Sequence, residues 1–167
     1  FNTASNWYTT VGGGDENGAG NQYSTVGGGR QNTANGWIAT VAGGWGNTAS
    51  NERATVGGGE GNTANNQYST VGGGQTNMAS GMHATVAGGR ENTASGYAAI
   101  VSGGWHNTAG GYGSAVGGGN LNNAGVDYTF IGSGFINYIA GYYSAILGGY
   151  ADTIFAGANY SYLFGIG

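Results

Sequence analysis

His83 and His106 are the only histidines in the chain, and Asp15, Glu16, Glu52, Glu60, Glu91, Asp127 and Asp152 are its only acids. General acid–base chemistry needs such groups to converge on one bond, and a metal centre needs three or four of them around one point. The spacing provides neither. The two histidines are more than one repeat apart and fall in different columns of the pattern described below. The acids do not recur at one position in consecutive repeats. Without cysteine there is no thiolate nucleophile and no disulfide. The Gly-rich runs could cradle a phosphate, but no G-x-x-x-x-G-K-[ST] follows any of them, and Gly44-Trp45-Gly46-Asn47-Thr48-Ala49 meets the dinucleotide-binding pattern only through repetition. The calcium-binding nonapeptide would need an Asp at a fixed place, which is missing. Asn159-Tyr160-Ser161 is a lone glycosylation sequon. No enzyme, metal or other cofactor is expected. With Lys and Arg totalling 3 there is no basic patch for nucleic acid. No run of 18 apolar residues occurs, so this stretch is not expected to insert into a membrane.

The side chains left for function are aromatic. Trp45, Trp105 and Phe135 share a column just after a Gly run, and Trp7 and Trp37 share another with Gln22, Glu52 and Gln67. Tyr8, Tyr23 and Tyr68 adjoin the second column. Ring faces stack while neighbouring amides hydrogen-bond, which suits contact with a glycan or a host surface protein. The competing expectation is that these rings shield turn glycines or fill a groove between subunits.

The columns themselves define the architecture. Asn recurs at 2, 17, 32, 47, 62, 77, 92, 107, 122 and 137, a strict spacing of fifteen. In phase with it run an Ala column from Ala4 to Ala124, a β-branched column (Val11, Val26, Val41, Val56, Val71 and on to Ile131) and a Gly column (Gly14, Gly29, Gly44, Gly59 and on to Gly134). Such self-similarity marks a repeat architecture, and fifteen residues suit one coil of a β-solenoid rather than a helical pair. A disordered Gly-Asn-Ser linker would not keep apolar residues in phase. The fold expected is therefore all-β: a parallel β-solenoid of about eleven coils, with two short strands per coil. One strand covers N-T-A-S and the other Y-A-T-V. The position between them (Asn6, Asn21, Gly36, Asn51, Asn66, Gly81, Gly96, Gly111) reads as a turn at positive φ, which Asn and Gly tolerate best. The Gly run reads as the second turn.

Ala4, the Ser24/Ala39/Ala54 column and Val11 should face a narrow interior, with coils stacked about 4.8 Å apart into a rod of roughly 50 Å. The Asn ladder (Asn17, Asn32, Asn47, Asn62, Asn77, Asn92, Asn107, Asn122) is expected to bond amide to amide up the stack. Residues 1–134 form the regular part. Residues 135–167 read as wider, aromatic-rich terminal coils, because Ile131-Gly132 is followed by Leu147-Gly148 after sixteen residues and by Phe164-Gly165 after seventeen more. The chain opens in mid-pattern at Phe1-Asn2-Thr3-Ala4 and stops within a coil at Gly167, as a piece of a longer protein would.

The stretch NTASGYAAIVSGG (92–104) resembles the head repeat of trimeric autotransporter adhesins of the YadA type: small residues precede the turn glycine Gly96, and Gly103 follows it by seven. The runs of VGGG with NTA between them are similar to the Gly-Gly-Gly repeats of the ubiquitous surface protein A group. The likeness covers roughly residues 1–134. The other half of each repeat is one residue longer than in that family, and its neck motif and coiled-coil stalk do not occur here. The resemblance implies a left-handed parallel β-roll, three chains side by side, displayed outside the cell. Independently, a single roll this narrow buries little apolar area, so the outward Thr column (Thr10, Thr25, Thr40, Thr55, Thr70, Thr85) and the tyrosines could pack against further copies in a homotrimer. The function expected is a non-enzymatic extracellular rod, the head of a cell-surface adhesin acting by multivalent display. The rival is a phage tail-fibre or extracellular filament subunit whose function is self-assembly. Ice binding is a third reading, opposed by the break in the Thr column at Ile100, Ala115 and Phe130.

Overall fold

The computed structural model describes residues 1–165; Ile166 and Gly167, where the last coil was expected to stop, lie outside them. The chain winds into a parallel β-solenoid with two strands of two residues per coil. Odd-numbered strands, from β1 (Thr3–Ala4) to β21 (Thr153–Ile154), form one 11-stranded sheet, and even-numbered strands, from β2 (Thr10–Val11) to β22 (Tyr162–Leu163), form the other. Every pairing is parallel, and the register is fifteen residues through most of the stack, as in Thr70↔Thr85 and Val71↔Val86. The repeat length read from the sequence is thus the hydrogen-bonding register of the fold.

The strand alternation sets the core. Ala19, Ala34, Val26, Val41 and their successors are fully buried, with the Ser24/Ala39/Ala54 column beside them. Small side chains are required because the two sheets of one narrow coil face each other closely. In the last coils the same columns widen to Ile131, Ile139, Ile146 and Ile154. The register also corrects one alignment. β18 (Phe130–Ile131) pairs with β20 (Ala145–Ile146), so Ile146 rather than Leu147 is the equivalent of Ile131, and this coil keeps fifteen residues. The seventeen-residue interval is confined to Ala145↔Tyr162, where two more residues enter the turn before Tyr160.

The Asn ladder is inside the rod, but its chemistry differs from simple amide pairing. Asn62 Nδ2 donates to the carbonyls of Gly58 at 2.9 Å and Gly74 at 2.8 Å, and its Oδ1 accepts the backbone N–H of Asn77 at 2.9 Å. The amide therefore ties the glycine turn of its own coil to that of the next: among the described residues it alone serves the Gly58 carbonyl and the Asn77 N–H, and it adds a second donor to the Gly74 carbonyl, which also accepts Glu60 N–H. Direct amide-to-amide bonds are secondary and longer, as from Asn92 to Asn77 at 3.2 Å. The Gly column is the other half of the same device. At Gly59 φ is +88°, and a Cβ would stand 2.1 Å from the Gly74 oxygen and 2.8 Å from Asn62 Nδ2. Only glycine lets the turn close over the amide.

The first turn is displaced from its expected place. The Asn/Gly position is not left-handed; the left-handed residue comes two later, at Tyr8, Tyr23, Ile38, Arg53, Tyr68 and His83. Asn21 instead uses its side chain, Oδ1 accepting the N–H of Gln22 at 2.8 Å, while its carbonyl accepts Ser24 N–H at 3.0 Å to close a four-residue turn. Positive φ at the third residue of such a turn is the type II arrangement. Tyr8, Tyr23 and Tyr68 accordingly lie at a corner of the coil, not on the strand. From Tyr23 on, each left-handed residue is held by the preceding coil, as in Tyr23 N–H to the Trp7 carbonyl at 3.1 Å.

Candidate functional site

Two corners carry the candidate side chains. The first, at the type II turns, brings together Tyr8, Tyr23, Trp37 and Tyr68 with neighbours that sequence reading did not single out. Tyr8 and Tyr23 stack at 5.0 Å. The Arg53 guanidinium lies 4.9 Å from the centre of the Trp37 ring and 5.3 Å from that of Tyr68. Arg53 also donates to Glu52 at 2.7 Å and to the Tyr68 hydroxyl at 2.6 Å. From there a stack continues through His83, Tyr97, Tyr112, Tyr128, Tyr143 and Tyr160, with ring centres 4.8–5.4 Å apart. Where the left-handed column holds Ala98 and Gly113, the preceding column supplies Tyr97 and Tyr112 instead. That exchange was the available sequence signal for a continuous stack.

Most stacked pairs are nearly coplanar, Tyr97 and Tyr112 by 4° and Tyr143 and Tyr160 by 6°. Their faces are turned toward one another along the rod, so a visitor meets ring edges and hydroxyls. Sugar stacking on a free face, the chemistry expected of these tyrosines, is thereby largely pre-empted within the column. Partial loss of water beside its neighbours raises the Tyr128 hydroxyl above the ordinary tyrosine value, with Tyr112, Tyr143 and Asp127 adding to the effect. Trp7 is exposed at the first coil and has no ring partner among the described residues.

The second corner follows the glycine turn. Its side chains are held by a third parallel ladder, one residue per coil: Asp15↔Arg30↔Trp45↔Glu60↔Gln75↔Arg90↔Trp105↔Asn120↔Phe135↔Tyr150. Trp45, Trp105 and Phe135 thus share one column as expected, although two of them never touch across the sixty residues between Trp45 and Trp105. Trp105 is flanked by polar and charged neighbours, though 45% of it stays exposed. Its Nε1–H donates to Glu91 at 3.1 Å, the Arg90 guanidinium lies 5.7 Å from the ring centre, and the His106 ring lies 5.2 Å away. Glu91 also bonds Arg90 Nε at 3.0 Å and pairs with His106. The indole hydrogen bond, then His106 and Arg90, hold the Glu91 carboxyl below the usual glutamate range against an opposing desolvation.

Trp45 is built differently. Its Nε1–H donates to Gln31 Oε1 at 2.9 Å, and Gln31 Nε2 donates to Glu16 at 2.7 Å. Beside the ring lies a notch of about 190 Å³ lined by Gln31, Trp45, Gly46, Glu60 and Gly61. His83 and His106 sit on different corners, and among the described residues no group of three or more His, Asp and Glu is placed to share a metal ion. No described helix is long and apolar enough to cross a membrane.

The chain matches no protein-family model and no curated protein. The reading of its function therefore rests on the geometry of the two corners.

Proposed function

We propose that this chain is a non-enzymatic rod that presents recognition side chains outside the cell, as the head of a surface adhesin of the trimeric autotransporter kind. One observation carries the reading: repetition and variation are segregated. The interior Asn, Ala, Val and Gly columns change little from coil to coil, whereas the second corner changes residue at every level, from Asp15 through Arg30, Trp45, Glu60 and Gln75, and the first runs through Tyr, Ile, Arg and His before it settles to tyrosine from Tyr97 on. A rod made only to span distance has no need of a varied corner. An ice-binding face would need the reverse, one flat regular array. Contacts of a few side chains each, repeated along a stiff scaffold, add by avidity when several copies are displayed together.

A second reading has its own support. At the last coils positions on or just after the even-numbered strands become apolar and stay exposed, at Phe130, Leu147, Tyr162 and Phe164, while Tyr138 is exposed on the other sheet. Contiguous apolar surface of this kind marks a protein contact, and it favours self-association, as homotrimer or as filament or fibre subunit, at this end. Binding to arrayed glycans and matrix proteins should be measured with the chain displayed on beads and with the free chain, alongside sedimentation. Adhesion that requires clustering and falls when corner residues are changed supports the adhesin reading. Concentration-dependent assembly with no surface bound would replace it by the filament reading, and a single-chain mass would remove the trimer.

A further inference from the structure

The chain holds a guanidinium between an indole and a carboxylate at two places. At the first corner Arg53 lies over Trp37 and bonds Glu52. At the second Arg90 lies over Trp105 and bonds Glu91. Trp45 with Glu60 is a third pairing of the same kind, and no guanidinium of the described residues rests on it. The reason is local. Arg30 stands to Trp45 as Arg90 stands to Trp105, one coil earlier in the ladder. Where Glu91 draws Arg90 onto the ring, the equivalent residue is Gln31, which is neutral and committed to Trp45 Nε1 and Glu16. Arg30 turns instead to Asp15, its Nε 3.7 Å from Oδ2.

The space beside the ring is also not a requirement of the fold. Gly46 and Gly61 have φ of +66° and +64°, but Glu16, Gln31, Thr76, Glu91, His106 and Leu121 adopt φ of 55–58° in the same column with full side chains. A Cβ at Gly46 would meet nothing within 4 Å, and one at Gly61 only Thr76 Oγ1 at 3.7 Å. Crowding does not demand glycine there, and the left-handed backbone that favours it is met by full side chains elsewhere in the column. At Trp105 the equivalent positions are His106 and Leu121, which fill the corner.

We propose that the Trp45 notch, with the Glu60 carboxylate, is a site for an arginine side chain presented by a partner polypeptide. The inference rests on the adhesive reading and gives that reading a partner of stated chemistry: a basic, arginine-bearing protein surface. The guanidinium lies on the indole face, where the ring quadrupole attracts a cation, and its N–H groups are donated to Glu60, whose Oε2 is held only weakly by Gln75 at 3.3 Å. Asp15, Glu16 and Glu60 outnumber Arg30 around the site, which favours a cation over a neutral ring. Pockets for drug-sized ligands run to roughly 300–1,000 Å³; a notch of about 190 Å³ takes one side-chain end.

The test is a titration of the full chain with short peptides that differ in one residue, arginine or the neutral isostere citrulline, and with free glucose. It is read on the indole N–H resonance of Trp45, assigned by its loss in Trp45→Phe. The arginine peptide should shift that resonance saturably, and citrulline should bind about tenfold more weakly, the scale of a cation–π contact with a charge pair. Glu60→Gln should weaken arginine binding by a similar factor. Gly61→Leu should block it while the chain stays folded with a modestly lower melting temperature, since Leu121 already occupies that column at a φ of 58°. Gln31→Glu should draw Arg30 onto the ring and close the site from within, and adding Arg30→Ala should reopen it. Equal binding of citrulline or glucose, no shift at tens of millimolar peptide, or a Gln31→Glu chain that binds unchanged would each overturn the site. If the Trp45 variants leave adhesion to a bound surface intact, the site falls and the adhesive reading stands. If the arginine peptide binds but no surface does, the reverse holds.

Discussion

Replacing Asn62 with alanine tests what holds the coils together. Asn62 is fully buried at mid-rod. Its own backbone N–H would keep its bond to Asn47 Oδ1. What disappears is the bond accepted from the buried Asn77 N–H, the two donated to glycine carbonyls, and a longer one accepted from Asn77 Nδ2 at 3.1 Å, whose donor keeps its own two glycine carbonyls. The Gly74 carbonyl retains a second donor in Glu60 N–H, at 2.9 Å. The net damage is one orphaned N–H and one orphaned carbonyl, Gly58. Each buried unsatisfied group costs about 1–3 kcal/mol, so the substitution should destabilise the chain by about 2–5 kcal/mol, with a water molecule in the vacated space setting the lower bound. Because a solenoid is stabilised coil against coil, exchange protection should fall most in the coils flanking residue 62 and little at either end. Asn62→Asp separates acceptor from donor: it can still accept the Asn77 N–H but turns a carboxylate toward two carbonyls, and should be worse than alanine at neutral pH. Hydrogen exchange with thermal melting reads both. An Asn62→Ala chain within about 0.5 kcal/mol of the parent, or a loss spread evenly along the rod, would refute the claim that the amides hold the glycine turns.

Other outcomes follow from the same geometry. Asp152 takes the Asn place in the last full coil; its N–H still donates to Asn137 Oδ1 at 2.9 Å, but its Oδ2 is buried without a partner. Asp152→Asn restores a donor there and should raise stability by about 1–3 kcal/mol, visible as a higher melting temperature at neutral pH. Gly59→Ala should cost well over about 2 kcal/mol, since strain at φ > 0 adds to the clash with the Gly74 oxygen, while Gly61→Ala, with the strain but no clash, should cost about 1–2 kcal/mol in parallel melts. Since the folded chain lowers the Glu91 carboxyl below its unfolded value, the Trp105–Glu91 contact should persist above the ordinary glutamate range and be lost only as pH falls through the lowered value. The Trp105 indole N–H resonance, followed down in pH, reports that step.

Much of the backbone was legible because fifteen-residue columns are a direct readout of coil register, and the Ala, Val and Asn columns named the buried faces. What the sequence concealed is where contacts between coils override single-residue preference. Asn and Gly were read as left-handed because they tolerate it, yet Asn21 serves the turn through its side chain, and the left-handed residues are Tyr23, Ile38, Arg53 and His83. That conformation costs roughly 1–2 kcal/mol for an ordinary residue. It is offset by a backbone bond to the neighbouring coil and, for the rings, by stacking worth about 0.5–1.5 kcal/mol a pair. Likewise an Asn column announces a ladder but not its partners, which depend on the glycine carbonyls left unpaired by the turn.

The same division of labour explains how a corner can acquire a specific site. A corner side chain is anchored by backbone bonds to the coils above and below, so its identity can change without disturbing the buried columns. Gln31 where the next Trp level has Glu91, and Gly46 and Gly61 where it has His106 and Leu121, alter three outward side chains and leave the register of the third ladder unbroken. Those three differences separate a Trp105 that has its own arginine beside the ring from a Trp45 that has none and borders a notch with Glu60, although the two rings are about equally exposed. In a scaffold of this kind, positions where a corner column drops to glycine although its other levels carry full side chains are the places to look for ligand contact.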